Sequence, residues 1–303
     1  MITPRTATEQ LFFVTAHLQC QKPGNGWSGT GFFVRVPITH GDDQVLLITN
    51  RHVLSDPDLG TAETVHIITP AANPANPSNP LFGHPAILIA KEPVFQSHSK
   101  PDIDVAVMGI NDLPIVHPNN PFIKTLPADM LTNDEALAQL DAIELVTFIG
   151  YPNALYDTVN MTPIARRGWT ATPISLDHNG KPMFLIDASV FPGSSGSPVF
   201  VVNPGSYTDR QGNLIFGGGP RIVLLGIVAA VYLHATTGEL VPALNLPKVA
   251  VKQVMNLGIV YKMRTIVEAI DQFLACKGLA RAQQSGVTPT VAPADPPAPV
   301  LPA

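Results

Sequence analysis

The sequence is poor in cysteine, in charge and in long apolar runs. Only two cysteines, Cys20 and Cys276, occur in 303 residues. That is too few for a disulfide scaffold, and it fits a reducing compartment. Charged residues make up 14 % of the chain, and the formal net charge of −5 offers no electrostatic reason to expect nucleic acid or an anionic membrane as a partner. The longest apolar run, Ile222 to Leu233, is 12 residues, short of the about 20 that a spanning helix needs. The N-terminus has four consecutive strong hydrophobes, Leu11 to Val14, with no basic start and no long apolar core, so it does not read as a secretory signal. These absences point to a cytoplasmic protein. Nine histidines are present, but none has a His-x-x-x-His spacing. No metal and no other cofactor is expected.

What is present is a folding composition, 45 % hydrophobic. It is arranged in short runs rich in Val, Ile, Phe and Thr. "GTGFFVRVPI", "DQVLLITN", "ETVHIIT", "IDVAVMGI", "IELVTFIGYP", "RGWTATPI", "MFLIDASV", "SPVFVV" and "RIVLLGIVAAVYL" read as strands punctuated by Pro, Gly, Asn and Asp. Many strands and few helices argue for an all-β barrel or sandwich, and the length suggests two barrels. "TPAANPANPSNPLFGHP" reads as a loop, and "LTNDEALAQL" as an internal helix between the halves. Ile266, Val267, Ile270, Phe273 and Leu274 form a helical stripe that Gly278 would end. The last segment, residues 279–303, is rich in Pro and Ala and reads as a disordered tail.

One stretch breaks the strand pattern. "FPGSSGSPVF", Phe191 to Phe200, places two glycines and three serines between prolines. Either it is a surface hairpin, or the backbone takes a special shape around one reactive hydroxyl. A serine nucleophile needs a base, usually an imidazole, and the imidazole needs a carboxylate to fix its tautomer. The oxyanion needs converging backbone N–H donors, which Gly193 and Ser195 are spaced to supply. His52 follows an apolar strand end in "LLITNRHVLSD" and is the candidate base. Two carboxylates, Asp102 and Asp104, occur in "KPDIDVAVMGI".

Four ordered segments resemble the trypsin-like serine proteases of the chymotrypsin-fold superfamily. They are "SGTGFFV", "LITNRHVL", "DIDVAVM" and "DASVFPGSSGSPVF". The likeness is nearer to the bacterial HtrA-like branch, without a PDZ domain, than to animal digestive enzymes. It spans about residues 8 to 277, and more loosely takes in "FIGYPNALYDTVNMTPIARRG" and "LGIVYKMRTIVEAI". The resemblance implies two packed six-stranded antiparallel β-barrels with a C-terminal helix. The peptidase domain would be residues 1–278: N-terminal barrel about 8–125, C-terminal barrel about 126–262 and closing helix about 263–277. It selects Asp104, which stands directly before apolar-Ala, and makes His52, Asp104 and Ser195 the triad. It also places Ser189, six positions before the nucleophile, at the base of the specificity pocket, with Ala229 and Ala230 on its wall.

The sequence departs from the family pattern at Ser194, where animal members carry the Asp of their zymogen switch, and at Ser197, where the second glycine is usual. The strand around "GIVAAVY" lacks the serine that supports the triad aspartate in animal enzymes. The reading is a serine endopeptidase acting on a protein or peptide substrate, with room for partner proteins in a multi-component system. The alternative is a protease-like scaffold or binding module with an idle triad.

Overall fold

The computed structural model describes residues 3–111, 113–115, 119–131, 137–208, 210–216, 219–236 and 251–282, with the backbone alone at 230–236 and 251–255. After a short helix α1 (Ala7–Gln10), the N-terminal half carries β1 (Thr15–Lys22), β2 (Asn25–Val36), β3 (Gln44–Thr49), the one-turn helix α2 (Arg51–Leu54), the small ribbon β4 (Ser55–Asp56) and β5 (Gly60–Thr61), then β6 (Thr64–Asn73), β7 (Asn76–Lys91), β8 (Gln96–Ser97), β9 (Ala106–Gly109) and β10 (Leu126–Pro127). The C-terminal half carries β11 (Leu145–Gly150), β12 (Ile164–Thr170), β13 (Met183–Asp187), β14 (Pro198–Asn203), the ribbon β15 (Ser206–Thr208) and β16 (Leu214–Phe216), then β17 (Arg221–Thr236), β18 (Val251–Lys262) and α3 (Met263–Cys276).

Strands β11, β12, β13, β18, β17 and β14 close into a barrel in that order. The all-β class, this six-stranded barrel and the C-terminal helix are as the resemblance implies. The N-terminal half forms an eight-stranded sheet in the order β7-β6-β1-β2-β3-β9-β8, with β10 joined to β2. Its end strands β7 and β8 do not pair with each other among the described residues. Pro77, Pro80 and Pro85 deprive β7 of backbone donors, which suits an edge strand.

That edge corrects one expectation. "TPAANPANPSNPLFGHP" is not a loop. It lies almost wholly within the β6–β7 hairpin, with register shifts at Pro70/Ala71 and Ala72/Asn73 that absorb the missing donors. The helix expected at "LTNDEALAQL" has its residues 132–136 outside the described residues, as is the tail from residue 283 onwards.

Packing follows strand alternation. On β2 the neighbours Phe32 and Phe33 point to opposite faces. Both are fully buried, Phe32 in a core shared with α3 and Phe33 in a core closed by Leu18, Leu47 and Val53. Burial of each contributes about 2 kcal/mol. The α3 stripe Ile266, Ile270, Phe273 and Leu274 joins Val34, Phe200, Leu224 and Ile227 in one core, so the helix packs across both halves. Gly278, at φ +70°, ends it. Residues 279–282 continue onto the N-terminal half: the Ala282 N–H donates to the Pro37 carbonyl, and Ile38 bridges Arg281. No helix among the described residues is long and apolar enough to cross a membrane.

His17 on β1 is 2 % exposed, and neither ring nitrogen has a hydrogen-bond partner among the described residues. It stacks on Tyr151 at 5.0 Å and lies 5.7 Å from the Tyr156 ring. Burial pushes its pKa down from the ordinary 6.5 to about 4. The unfolded chain therefore binds more protons than the folded one between those values. The neutral ring costs nothing above the unfolded value, and stability falls as pH drops from 6.5 towards about 4. The loss is up to about 3 kcal/mol. Urea unfolding of the wild type and His17→Phe across this range should show the wild type losing more stability on acidification. Equal slopes would remove His17 as the source.

Candidate active site

Strand β3 ends at Thr49, and the chain turns at once into α2. The side chain of Asn50 does not cap this helix. It reaches to the loop before β9 and donates to the Asp104 carbonyl at 2.6 Å. Next, Arg51 Nη2 donates to the Pro101 carbonyl at 2.8 Å. The His52 N–H donates to Asp104 Oδ1 at 3.0 Å, and its Nδ1 pairs with Oδ2 at 2.5 Å. Three successive residues thus grip the 101–104 loop. A carboxylate oxygen only accepts, so the geometry puts the imidazole proton on Nδ1 and leaves Nε2 with its lone pair. The turn bearing His52 is held from behind, where Cys20 Sγ and Trp27 Nε1 both donate to the Val53 carbonyl, at 3.0 and 2.8 Å.

Both oxygens of Asp104 are satisfied by His52 itself. The missing serine of the cleft strand is made good by the His52 backbone. Asp102 lies two residues earlier in the same loop, not on a strand. Its carbonyl accepts from the Tyr261 hydroxyl at 2.7 Å, and the residue is exposed.

The serine loop is two linked turns. Ser194 N–H donates to the Phe191 carbonyl at 3.0 Å, and Ser197 N–H to the Ser194 carbonyl at 3.0 Å. Gly193 and Gly196 have φ of +84° and +90°. A Cβ at Gly196 would collide with the Thr30 carbonyl and Thr49 hydroxyl, and one at Gly193 would sit 2.5 Å from the Tyr151 carbonyl. The flexible residues are there because the backbone needs them, and the surface-hairpin reading fails. Ser197 fits where glycine is usual because the facing residue, Gly150, has no side chain.

The loop is bolted to both halves. Thr30 N–H on β2 donates to the Ser195 carbonyl at 2.8 Å, and Gly196 N–H on the loop to the Val228 carbonyl at 2.9 Å. The Ser195 hydroxyl donates to the Ala229 carbonyl at 3.1 Å. Among the described residues the N–H groups of Gly193 and Ser195 donate to no carbonyl. Ser194 is buried, and its hydroxyl has no hydrogen-bond partner among the described residues.

Of the residues expected to form the pocket, Ser189 is half-buried after β13 and its hydroxyl donates to Asn256 Oδ1 at 3.3 Å. Asn256, at φ +56°, also accepts the Ala188 N–H on its carbonyl at 2.9 Å. Ala229 is buried and meets Ser195 through its carbonyl, whereas the Ala230 side chain lies outside the described residues. Arg166 lays its guanidinium over the Phe191 ring at 4.8 Å. Sequence reasoning missed Thr30, Asn50 and Asn256. The first two lie inside the quoted motifs "SGTGFFV" and "LITNRHVL". Asn256 carries no local signal.

A serine loop built on a barrel and a histidine gripped by an aspartate are both features of the chymotrypsin-fold serine proteases, although Ser195 and His52 are not hydrogen-bonded to each other here. The family model of the trypsin-like peptidase domain matches residues 29–205, and the chain belongs to that family. It is a serine endopeptidase, a hydrolase whose substrates are proteins or peptides. No curated protein sequence matches the chain. Among solved structures it is similar to a thermostable serine protease from an extremophilic microorganism, at 13 % identity over 85 % of this chain and 95 % of that one, TM-score 0.46. It is similar to the HtrA-type protease AlgW with a tripeptide, at 15 % identity over 90 % of this chain and 64 % of that one, TM-score 0.46. The protease Anisep from Arthrobacter nicotinovorans matches at 12 % identity over 87 % and 96 % of the two chains, TM-score 0.47.

Proposed function

We propose that the chain cleaves peptide bonds through the triad Ser195, His52 and Asp104, with the N–H groups of Gly193 and Ser195 as the oxyanion hole. The observation that carries this reading is the two-point grip of Asp104 on His52, which leaves Nε2 as the accepting nitrogen. His52 Nε2 takes the Ser195 proton as Oγ bonds to the scissile carbonyl carbon. The carbonyl π pair moves onto oxygen, where the two amides receive it. Collapse breaks the C–N bond, and His52 returns the proton to the leaving amine. Water repeats the sequence and frees the acid. No metal or cofactor enters.

The peptidase domain would extend to about residue 282, since 279–282 bond to the N-terminal half. The two unbridged cysteines support a cytoplasmic setting. The idle-scaffold reading draws on one observation: the Ser195 hydroxyl points at the Ala229 carbonyl. Rotation about one bond redirects it.

The Ser189–Asn256 pair is neutral and offers no carboxylate to a buried cation. Ala229 adds an apolar neighbour beside Ser195. A medium-sized or large apolar side chain is therefore favoured before the cleaved bond. Peptidyl diphenyl phosphonates that differ only in Leu or Lys at that position test function and pocket together. Both should bond to Ser195, the Leu probe about tenfold faster or more. A native protein that neither probe labels would favour the idle scaffold. Faster labelling by the Lys probe would sink the pocket argument, and the search for a compensating acid would start at exposed Asp187.

A further inference from the structure

Thr30 is fully buried on β2, and its polar atoms are committed to four residues in three segments. Its N–H donates to the Ser195 carbonyl at 2.8 Å, and its carbonyl accepts the Thr49 hydroxyl at 2.7 Å. Its hydroxyl accepts the Tyr151 N–H at 3.0 Å and donates to the Gly193 carbonyl at 2.8 Å. One residue of the N-terminal half therefore pins the serine loop at two carbonyls and ties it to the end of β11.

The hydroxyl closes a ring. Tyr151 is followed by Pro152 and Asn153, and the Asn153 N–H donates to the Pro192 carbonyl at 2.6 Å. The Pro192 carbonyl and the Gly193 N–H belong to one trans peptide, so they point in opposite directions. The Gly193 carbonyl caps the next peptide along. With the Pro192 carbonyl held by Asn153 and the Gly193 carbonyl held by Thr30, the φ and ψ of Gly193 have little freedom. Without the Thr30 anchor, glycine at φ +84° is the residue most able to swing its peptide planes. His17, directly opposite Thr30 on β1, stacks on Tyr151 and braces the third corner.

We infer that Thr30 is a positioning residue for the oxyanion hole: its side-chain hydroxyl fixes the Gly193 N–H in the orientation that receives developing negative charge. The inference rests on the triad reading above. It sets Thr30 apart from packing residues because its contribution is specific to the transition state. A substrate in its ground state has no oxyanion, so a loosened hole lowers turnover and leaves binding almost intact.

The test compares T30V, which keeps the shape and loses the hydroxyl, with T30S, which keeps the hydroxyl and loses the methyl. Hydrolysis of an acetyl-leucine thiobenzyl ester gives kcat and KM, and acetyl-leucine boronic acid, which forms a tetrahedral adduct at serine, reports the hole directly. T30V should lose about 30-fold in kcat, with KM within about threefold, and bind the boronate more weakly by a similar factor. T30S should stay within about threefold of wild type in all three. Should T30V fail to fold, T30A, which only deletes atoms, takes its place beside T30S. Wild-type kcat in the hydroxyl-free variant, or an equal loss in T30S, overturns the inference alone. A wild-type protein inert to both ester and boronate overturns the triad reading and this inference with it.

Discussion

Ser195→Ala and His52→Ala should each abolish nearly all peptidase activity, by about 10⁴-fold or more, while the protein still folds. The magnitude follows from the division of labour. Without Oγ there is no nucleophile to form the acyl-enzyme. Without the imidazole the hydroxyl cannot lose its proton near neutral pH. Folding should survive because little rests on either side chain. The Ser195 hydroxyl makes one hydrogen bond, to the Ala229 carbonyl. The His52 side chain is 34 % exposed, and its backbone N–H still reaches Asp104 in the alanine variant. The backbone bonds that hold the loop, from Thr30 to Ser195 and from Gly196 to Val228, involve neither side chain. The double variant should be scarcely slower than either single one, because a base without a nucleophile and a nucleophile without a base are equally idle. Hydrolysis of the thiobenzyl ester, with thermal melting as control, measures this. Near-wild-type turnover in Ser195→Ala would discard the mechanism, and multiplicative losses in the double variant would mean that the two residues do not act as a unit.

The legible part of this protein was what short windows encode. Strand runs such as "DQVLLITN" became β3, and the stripe from Ile266 to Leu274 became the buried face of α3, with Gly278 at its end. The proline-rich stretch from Thr69 to Pro85 misled because proline counts against strands, and the reason it is tolerated, an edge position with bulges, exists only once the sheet is assembled. The candidate site divides the same way. His52, Asp104 and Ser195 stood in recognisable short patterns. Thr30 stood in one too, but its role depends on Gly193, 163 residues away, and Asn256 meets Ser189 across 67 residues. Local periodicity carries no trace of such pairings. Ser197 shows the converse: a departure from the family pattern is accommodated by Gly150, a residue the local motif does not include.

Asp104→Asn should cost about 10⁴-fold near neutral pH, although the substitution changes almost no shape. The carboxylate accepts two hydrogen bonds from His52, one from the backbone N–H on Oδ1 and one from Nδ1 on Oδ2. An asparagine has one carbonyl oxygen and one NH₂. With the carbonyl kept on the backbone N–H, the NH₂ faces Nδ1, and two donors cannot share that bond. The ring must then carry its proton on Nε2, where it can no longer accept the serine proton. With the amide flipped, the NH₂ faces the His52 N–H instead, and the turn that carries the base is pushed away. Either arrangement disables catalysis while leaving the surrounding contacts, such as Asn50 on the Asp104 carbonyl, in place. Asp102→Asn provides the control. Its carbonyl bond to the Tyr261 hydroxyl does not depend on the side chain, and the residue is exposed. Turnover there should stay within about twofold of wild type. The ratio of kcat/KM between the two variants on the thiobenzyl ester decides the assignment. A large loss in Asp102→Asn with little in Asp104→Asn would transfer the carboxylate role to Asp102, and the grip on His52 seen here would then have to be remade when substrate binds.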